Sequence, residues 1–337
     1  MSDPRFVHVG PDGTLTQVAT LDELLSGVRT GGYAWLDFFD PSREDLVPLV
    51  GRLGVHPLSV DDCLDENQVP KYEEFPTNTF ILVNGHRKQD GVLVQQEVDL
   101  ILGKDFVVTV SGHQGGTLKL RERVEEVAAK DPAAIGQGPD VLLYVVLDHV
   151  VDAKLAAIES VQDAIDGAEE EILRSPYNFS PDLLMRLRRE LLTLRKSLFH
   201  EREILVKICR RDSPYVSDRS IYHFRDVYDH LTKYFEIVEI CREMITSLME
   251  IYLSMVNNRM ARVANRTNAS VRRLTLITTV FMPLTLLAGI GGMSEWTMMT
   301  GSSHWKIAYP ALVLGMLVIG VVSYRLLLLA EARKPAR

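Results

Sequence analysis

The sequence predicts an α/β domain, then long helices, then a two-helix hairpin that crosses a membrane. Short β-rich runs occupy the first part of the 337-residue chain. The 68 residues from Tyr215 to Met282 contain neither glycine nor proline, which favours a long unbroken helix. Two long apolar stretches lie within the last 64 residues. These observations predict a cytosolic α/β domain over 1–135, long helices over 136–273 and a membrane domain over 274–330.

The α/β domain is predicted from five short runs of strand-forming residues. Helical spacing occurs between them over 42–53 and 118–130, an alternation that indicates a mixed sheet with packed helices. The glycine clusters at 10–13 and 111–116 are turn sequences and lack the spacing of a dinucleotide-binding loop. The five runs are FVHV (6–9), AWLDFF (34–39), TFILVN (79–84), EVDLIL (97–102) and DFVVTV (105–110).

The middle of the chain predicts three long helices. Two of them run from Asp140 to Arg211, and the sequence SPYNFSP at 175–181 separates them. The following segment without breakers would be about 100 Å long as a single helix, at 1.5 Å per residue. It would enter the first membrane span directly, as a stalk. Several shorter helices with polar breaks are the alternative interpretation.

Two stretches that are nearly free of charge predict the membrane spans. The first span covers 274–292 and the second covers 307–330, and a bilayer core requires about 20 helical residues. The connection 293–306 would be an external loop. A buried hairpin in a soluble domain is the alternative, but the rest of the chain offers no obvious core to enclose it.

Basic residues set the predicted orientation. Arg272 and Arg273 precede the first span, and three basic residues lie in the tail 331–337, whereas the connection holds only Lys306. The positive-inside rule therefore places both termini in the cytoplasm. The N-terminal residues lack the basic and apolar regions of a secretory signal. We expect a multi-pass protein of the cell membrane with a basic cytosolic tail.

The first span carries one polar stripe along a heptad repeat, in which alternating steps of three and four residues return to the same face of a helix. Its residues include an asparagine, three threonines and two glycines, while the other faces carry Leu, Ile, Val and Phe. Several copies around an axis would enclose a path whose neutral oxygens suit a hydrated cation. Helix packing through small residues explains the same stripe, and periodicity does not decide between them. The stripe consists of Asn268, Val271, Thr275, Thr278, Met282, Thr285, Gly289 and Gly292.

Composition excludes several classes of protein. The net charge is −8 and the pI is about 5.6, the opposite of what a nucleic-acid-binding face requires. The three cysteines are far apart in sequence, which indicates a reducing compartment. The sequence shows neither a catalytic triad nor a metal-hydrolase histidine pair, so we expect neither an enzyme nor a cofactor. His200, His223 and His230 lie on predicted helices, with a structural role or Zn²⁺ binding as the two interpretations.

Several motifs, in order, resemble the CorA family of divalent-cation transporters. The match begins with HPL at 56–58, Asp61-Asp62 and PKYEE at 70–74. It continues with YHFRDVYDH at 222–230 and ANRTN at 264–268. It ends with TTVFMPLTLLAGIGGMSEW at 278–296 and HWKIAYP at 304–310. The motifs span nearly the whole chain.

The resemblance implies a funnel-shaped homopentamer that conducts divalent cations, with Mg²⁺ as the default ion. It also implies roles for single residues. Asp226 and Asp229 become candidates for Mg²⁺-dependent gating, with a solvated helix face as the alternative. The implied ion path has its entry at Asn268, a hydrophobic constriction near Val271, Leu274 and Met282, a threonine ring at Thr285, and a selectivity loop of Gly292, Met293 and Ser294.

The outer end of the first span departs from the family pattern. Residues 291–294 read Gly-Gly-Met-Ser where the family reads Tyr-Gly-Met-Asn, and serine lacks the donors of a carboxamide. Glu295 is the only acidic residue of the connection, so the outer mouth would attract cations weakly. Three functions stay open: a Mg²⁺ channel, a less selective or Zn²⁺-, Co²⁺- or Ni²⁺-conducting channel, and a non-transporting membrane-anchored assembly that binds a partner.

Overall fold

The structure, a computed structural model, describes residues 5–65, 68–89, 91–112, 118–292 and 294–332. It divides into two compact units, Met1–Tyr252 and Leu253–Arg337, which we describe separately. The first unit contains a seven-stranded sheet with packed helices, which confirms the predicted α/β domain. The strands are β1 (Arg5–Val9), β2 (Leu15–Val18), β3 (Tyr33–Phe39), β4 (Lys71–Glu74), β5 (Thr79–Gln89), β6 (Val92–Leu102) and β7 (Phe106–Ser111).

The strands lie in the order β2-β1-β3-β7-β6-β5-β4. Adjacent strands are antiparallel except β3 and β7, which are parallel, so the sheet is mixed as predicted. The five predicted runs correspond to β1, β3, β5, β6 and β7. The strand prediction missed β2 and β4, which are edge strands of four residues each. Such short edge strands give little periodic signal.

A hydrophobic core lies between one face of the sheet and three helices. Leu36 and Phe38 of β3 are buried there against Leu46. Because side chains alternate along a strand, Trp35 and Asp37 lie on the opposite face. The three helices are α1 (Leu21–Thr30), α2 (Arg43–Leu53) and α3 (Pro57–Asp62).

In the part of the chain that the structure describes, six further helices follow the sheet. The break predicted at 175–181 separates two long helices, as expected. From Ile221 onward, the segment without glycine or proline belongs to a single helix of 71 residues, which extends to Gly291. It continues beyond Pro283, since a proline in a membrane helix is tolerated. These helices are α4 (Leu120–Lys130), α5 (Pro132–Ile135), α6 (Pro139–Arg174), α7 (Asp182–Cys209), α8 (Ile221–Gly291) and α9 (Ser294–Ala332).

A buried ion pair between α6 and α7 also contacts strand β5 of the sheet. Lys154 Nζ of α6 lies 3.0 Å from Glu201 Oε2 of α7, and both side chains are shielded from solvent. Glu201 Oε1 accepts hydrogen bonds from the Asn84 N–H at 2.9 Å and from the Ser197 hydroxyl at 3.0 Å. Burial, and secondarily the charge of Lys154, lowers the pKa of His86 on β5 to about 3. The network joins α6, α7 and β5 around charged groups.

In the second unit, the C-terminal part of α8 packs against α9. Leu284 of α8 lies beside Gly320 of α9, and Gly291 lies beside Leu312. As the position along α8 rises, the contact position along α9 falls, so the two segments run antiparallel. Each contains a stretch that is long and apolar enough to cross a membrane. Within the predicted connection 293–306, the helix α9 breaks at Gly301, whose φ of +67° suits glycine.

Candidate functional site

The predicted polar stripe follows one line along α8. Its positions are three and four residues apart, and the helix includes all of them up to Gly289. Val271, Leu274 and Met282 expose 55%, 65% and 72% of their surface in the single chain. Met282 and Gly289 also border a shallow hollow of about 700 Å³ on this face. An exposed face of this kind requires lipid or another chain to cover it.

The stripe does not serve the packing of α8 on α9. The α8 residues that are partly buried include Leu276, Val280, Leu284 and Leu287, and Leu284 contacts α9. At about 100° per residue, these positions lie on the side of the helix opposite Thr278. The small and polar residues of the stripe are therefore not explained by the contact between the two spans.

The stripe threonines present acceptor oxygens. Thr278 donates its hydroxyl proton to the Leu274 carbonyl at 2.9 Å, and Thr285 donates to the Phe281 carbonyl at 2.9 Å. Thr275 makes the same bond to Val271 at 2.9 Å. With the proton directed into the helix, each hydroxyl oxygen keeps lone pairs for a cation or its hydration water. The face thus offers neutral oxygens without acidic groups.

The predicted selectivity loop begins where α8 ends. The Gly292 N–H donates to the Ala288 carbonyl at 3.0 Å and so extends the last helical turn. Met293 lies outside the described residues, and α9 begins at Ser294. The side chains of Ser294 and Glu295 also lie outside the described part. The role of this loop stays a prediction.

A group of metal-ligand side chains lies between α6 and α8 in the first unit. Asp148 and Asp152 of α6 and His230 of α8 place one ligand atom each within 4.8 Å of one another. The aspartates are four residues apart and therefore share a helix face. Two carboxylate oxygens and one imidazole nitrogen form a mixed donor set, which suits Zn²⁺, Co²⁺ or Ni²⁺ as well as Mg²⁺.

The electrostatics of this group favour a bound cation. Burial raises the pKa of Asp148, and the negative charges of Asp152 and Asp226 raise it further. Arg123 lies 3.7 Å from Asp148 and partly compensates. A divalent cation would relieve the repulsion between the carboxylates, because it brings two positive charges into a half-buried site.

The predicted regulatory residues have different surroundings. Asp226 is exposed and its charge acts on Asp148, so it belongs to the edge of the metal-ligand group. Asp229 is exposed as well, but its charge acts on Cys209 of α7. The ring of His223 stacks on Tyr144 with a centroid distance of 4.6 Å. Only His230 of the three histidines lies in the metal-ligand group of the described chain.

Asp148 and Asp152 were not among the site residues predicted from the sequence. Their spacing of four residues on a predicted helix was an available signal. Their partner His230 is far away in sequence, so the grouping depends on how α6 packs against α8.

The comparisons with known proteins agree with this architecture. The family model described as CorA-like Mg²⁺ transporter protein matches residues 30–330. The cobalt/magnesium transport protein CorA of Thermotoga maritima is 34% identical over 295 residues, covering 86% of this chain and 80% of its own. The protein of that description from Methanocaldococcus jannaschii is 23% identical over 290 residues, covering 86% of this chain and 87% of its own.

A solved structure shows the same fold. The complete structure of the CorA magnesium transporter from Methanocaldococcus jannaschii aligns with a TM-score of 0.71 at 20% identity. The alignment covers 99% of this chain and 98% of the other. The family match begins at residue 30 and extends through the rest of the α/β domain, the long helices and both apolar stretches. The chain therefore belongs to the CorA-like Mg²⁺ transporter family, a family of divalent-cation transporters rather than of enzymes, as the sequence resemblance predicted.

Proposed function

We propose that the chain forms a homopentameric channel through which divalent cations pass down their electrochemical gradient, with Mg²⁺ as the default ion. In this proposal the stripe of α8 lines the pore, from Asn268 at the cytosolic entry to the loop of Gly292, Met293 and Ser294 outside. Helix α9 covers the lipid side. Both termini are cytoplasmic, in keeping with the distribution of basic residues.

The position of the stripe carries the proposal. A row of threonines and glycines faces away from α9, and its hydroxyl oxygens are free to accept. A single helix cannot surround an ion, so the row acquires a function only when several chains assemble. Neutral oxygens at this spacing can bind the water shell of Mg²⁺ without stripping it, which matches the reluctance of Mg²⁺ to dehydrate.

A channel with broader selectivity is the second candidate. Ser294 stands where the family signature has asparagine, and Gly291 stands where it has tyrosine. Both changes remove polar or bulky groups from the outer mouth. The imidazole of His230 in the metal-ligand group also favours Zn²⁺, Co²⁺ or Ni²⁺ over Mg²⁺.

Ion flux into proteoliposomes distinguishes these functions. Purified protein is reconstituted, and uptake of Mg²⁺, Zn²⁺, Co²⁺ and Ni²⁺ is followed with encapsulated dyes at a fixed membrane potential. Mg²⁺ uptake above the protein-free control is expected. Uptake of the transition metals alone would support the second candidate. Absence of flux for every cation would support a membrane-anchored assembly that binds a partner.

Ser294→Asn tests the selectivity loop directly. If the loop selects ions, restoring the carboxamide should raise the ratio of Mg²⁺ to Co²⁺ uptake. Ser302→Asn, the same exchange at a serine further along the connection, is the matched control. An equal change of this uptake ratio in both variants would show that the loop does not select ions.

We further propose that Asp148, Asp152 and His230, with Asp226 nearby, bind a regulatory cation. Occupancy would hold α6 and α8 together, because the ligands come from both helices. Loss of the cation leaves carboxylates that repel one another. The site would therefore report the cytosolic concentration of divalent cations to the helix that continues into the stripe.

A further inference from the structure

Two adjoining cavities lie on the face of the sheet opposite α1–α3. The larger encloses about 540 Å³ and the smaller about 180 Å³. Both are lined by Arg5 of β1, Asp37 of β3, and Arg121 and Glu125 of α4. None of these residues belongs to the stripe or to the metal-ligand group. The charged lining therefore requires a separate explanation.

Asp37 is a partly buried carboxyl group that accepts a hydrogen bond from a neighbouring strand. The Thr109 hydroxyl donates to Asp37 Oδ1 at 2.6 Å, and the Trp35 indole N–H donates to that hydroxyl at 3.1 Å. Burial raises the pKa of Asp37, and the negative charge of Glu125 raises it further. Within the described chain, Asp37 forms no ion pair with a basic side chain. Among the described residues, its carboxyl group is therefore held in place without a counter-charge.

Arg5 is the complementary cation on the same wall. It lies directly opposite Asp37 in the register of β1 and β3, so both side chains leave the same face. Among the residues that the structure describes, no ion pair joins them. Arg121 does not replace Arg5, because its Nε lies 2.6 Å from Glu125 Oε1. A cation and an anion thus face the cavity separately.

We propose that this cavity binds a free α-amino acid, with its ammonium group on Asp37 and its carboxylate on Arg5. One zwitterion supplies both missing counter-charges, and it meets a carboxyl group already ordered by Thr109, which reduces the cost of binding. Three basic side chains disfavour a bare divalent cation in the larger cavity, and three carboxylates disfavour a polyphosphate. The basic ones are Arg5, Lys119 and Arg121, and the carboxylates are those of Asp37, Glu122 and Glu125. Phe39 and Leu118 give the larger cavity apolar walls for the ligand's side chain.

Calorimetric titration of the full-length protein in detergent tests the proposal. Each standard amino acid is titrated in turn, and at least one is expected to bind once per chain. Asp37→Asn and Arg5→Gln should each lower the affinity for that amino acid about tenfold or more. Asp212→Asn, the same exchange at an exposed position, should leave the affinity unchanged.

Analogues of the ligand give a test that needs no variant. The N-acetylated form and the carboxamide of the bound amino acid each lack one charge, and each should bind the unaltered protein about tenfold more weakly or worse. Failure of every amino acid to bind would overturn the proposal, as would undiminished affinity in Asp37→Asn. Magnesium chloride and sodium phosphate are titrated alone. If magnesium or phosphate binds, and if Asp37→Asn or Arg5→Gln abolishes that binding, the cavity is an ion site. That result would overturn the proposal of an amino-acid ligand.

Discussion

The two units of the chain differ in where their apolar and charged side chains lie, in the interior or on the surface. The first unit buries a core of apolar residues and also encloses an ion pair, Lys154 with Glu201. The second unit exposes leucines, isoleucines and valines along both helices, and the polar stripe follows one line along α8. The first unit therefore has the surface of a protein domain in water, and the second has the surface of a protein domain in lipid. The first unit buries its own core, whereas the second leaves its apolar surface for lipid and, in the proposed channel, for further copies of the chain.

This contrast predicts where a single substitution damages folding and where it damages transport. In the first unit, buried charges should dominate the free energy of unfolding. In the second, changes on the stripe should alter ion flux and leave unfolding unchanged. The following experiments challenge that division, beginning with the largest expected effect.

Lys154→Met should cause the largest loss of stability. It leaves Glu201 buried without its cation, which costs about 3–5 kcal/mol. Denaturant unfolding of the full-length protein, followed by the fluorescence of buried Trp35, measures the loss. Lys196→Met, at an exposed site on α7, is the matched control and should cost much less. Equal losses in the two variants would mean that the ion pair does not support the unit.

The stability of the first unit should fall in acid because of His86. Its folded-state pKa of about 3 lies below the ordinary value of 6.5, so the folded unit favours the neutral ring. This contribution is complete above pH 6.5 and is lost as the pH falls toward 3, at about 1.4 kcal/mol per pH unit.

His86→Phe should flatten the dependence in that window. Raised carboxyl pKa values, such as that of Asp148, act in the opposite direction. The difference between variant and wild type therefore isolates the histidine. His200→Gln, the loss of a histidine that is only partly buried, is the control. A parallel pH profile for His86→Phe would contradict the assignment.

Thr278→Val should reduce Mg²⁺ flux roughly tenfold, because it removes one acceptor oxygen per chain from the proposed pore. Thr279→Val is a close control, since Thr279 makes the same kind of bond, to the Thr275 carbonyl at 2.7 Å, but lies off the stripe. Proteoliposome uptake measures both. Similar Mg²⁺ flux in the two variants would show that the stripe does not line the ion path. Neither should change the melting temperature of the first unit.

Asp226→Ala should have the smallest effect. Its charge acts on Asp148 from the edge of the metal-ligand group, so its removal should raise the Mg²⁺ concentration that protects against limited proteolysis by roughly a few-fold. Asp229→Ala is the matched control, because that charge acts on Cys209 instead. Protection that is unchanged in Asp226→Ala would show that this residue is not a sensor.

The sequence predicts the features that depend on local pattern. The absence of glycine and proline predicts α8, and β-branched runs predict the five inner or longer strands. Helix α1 was missed although Thr20 caps it by accepting from the Glu23 N–H, and a Thr-x-x-Glu spacing is a signal for such a cap. The edge strands β2 and β4 are too short for periodicity.

The features that depend on packing could not be predicted. The grouping of Asp148, Asp152 and His230 requires α6 and α8 to lie side by side, and the burial of Lys154 requires β5, α6 and α7 together. In a sequence, Lys154 is one of many charged helix residues. The register that sets Arg5 opposite Asp37 likewise exists only once β1 pairs with β3.

The inward hydroxyl bonds of the α8 threonines have a consequence for biogenesis. Each hydroxyl proton is satisfied by the helix's own carbonyl before any neighbour arrives. A newly made helix can therefore enter the bilayer as a single chain without leaving a donor stranded in hydrocarbon. In the proposed channel, insertion and assembly would then be separate steps, and the threonine oxygens of the proposed pore would already be oriented when the copies meet.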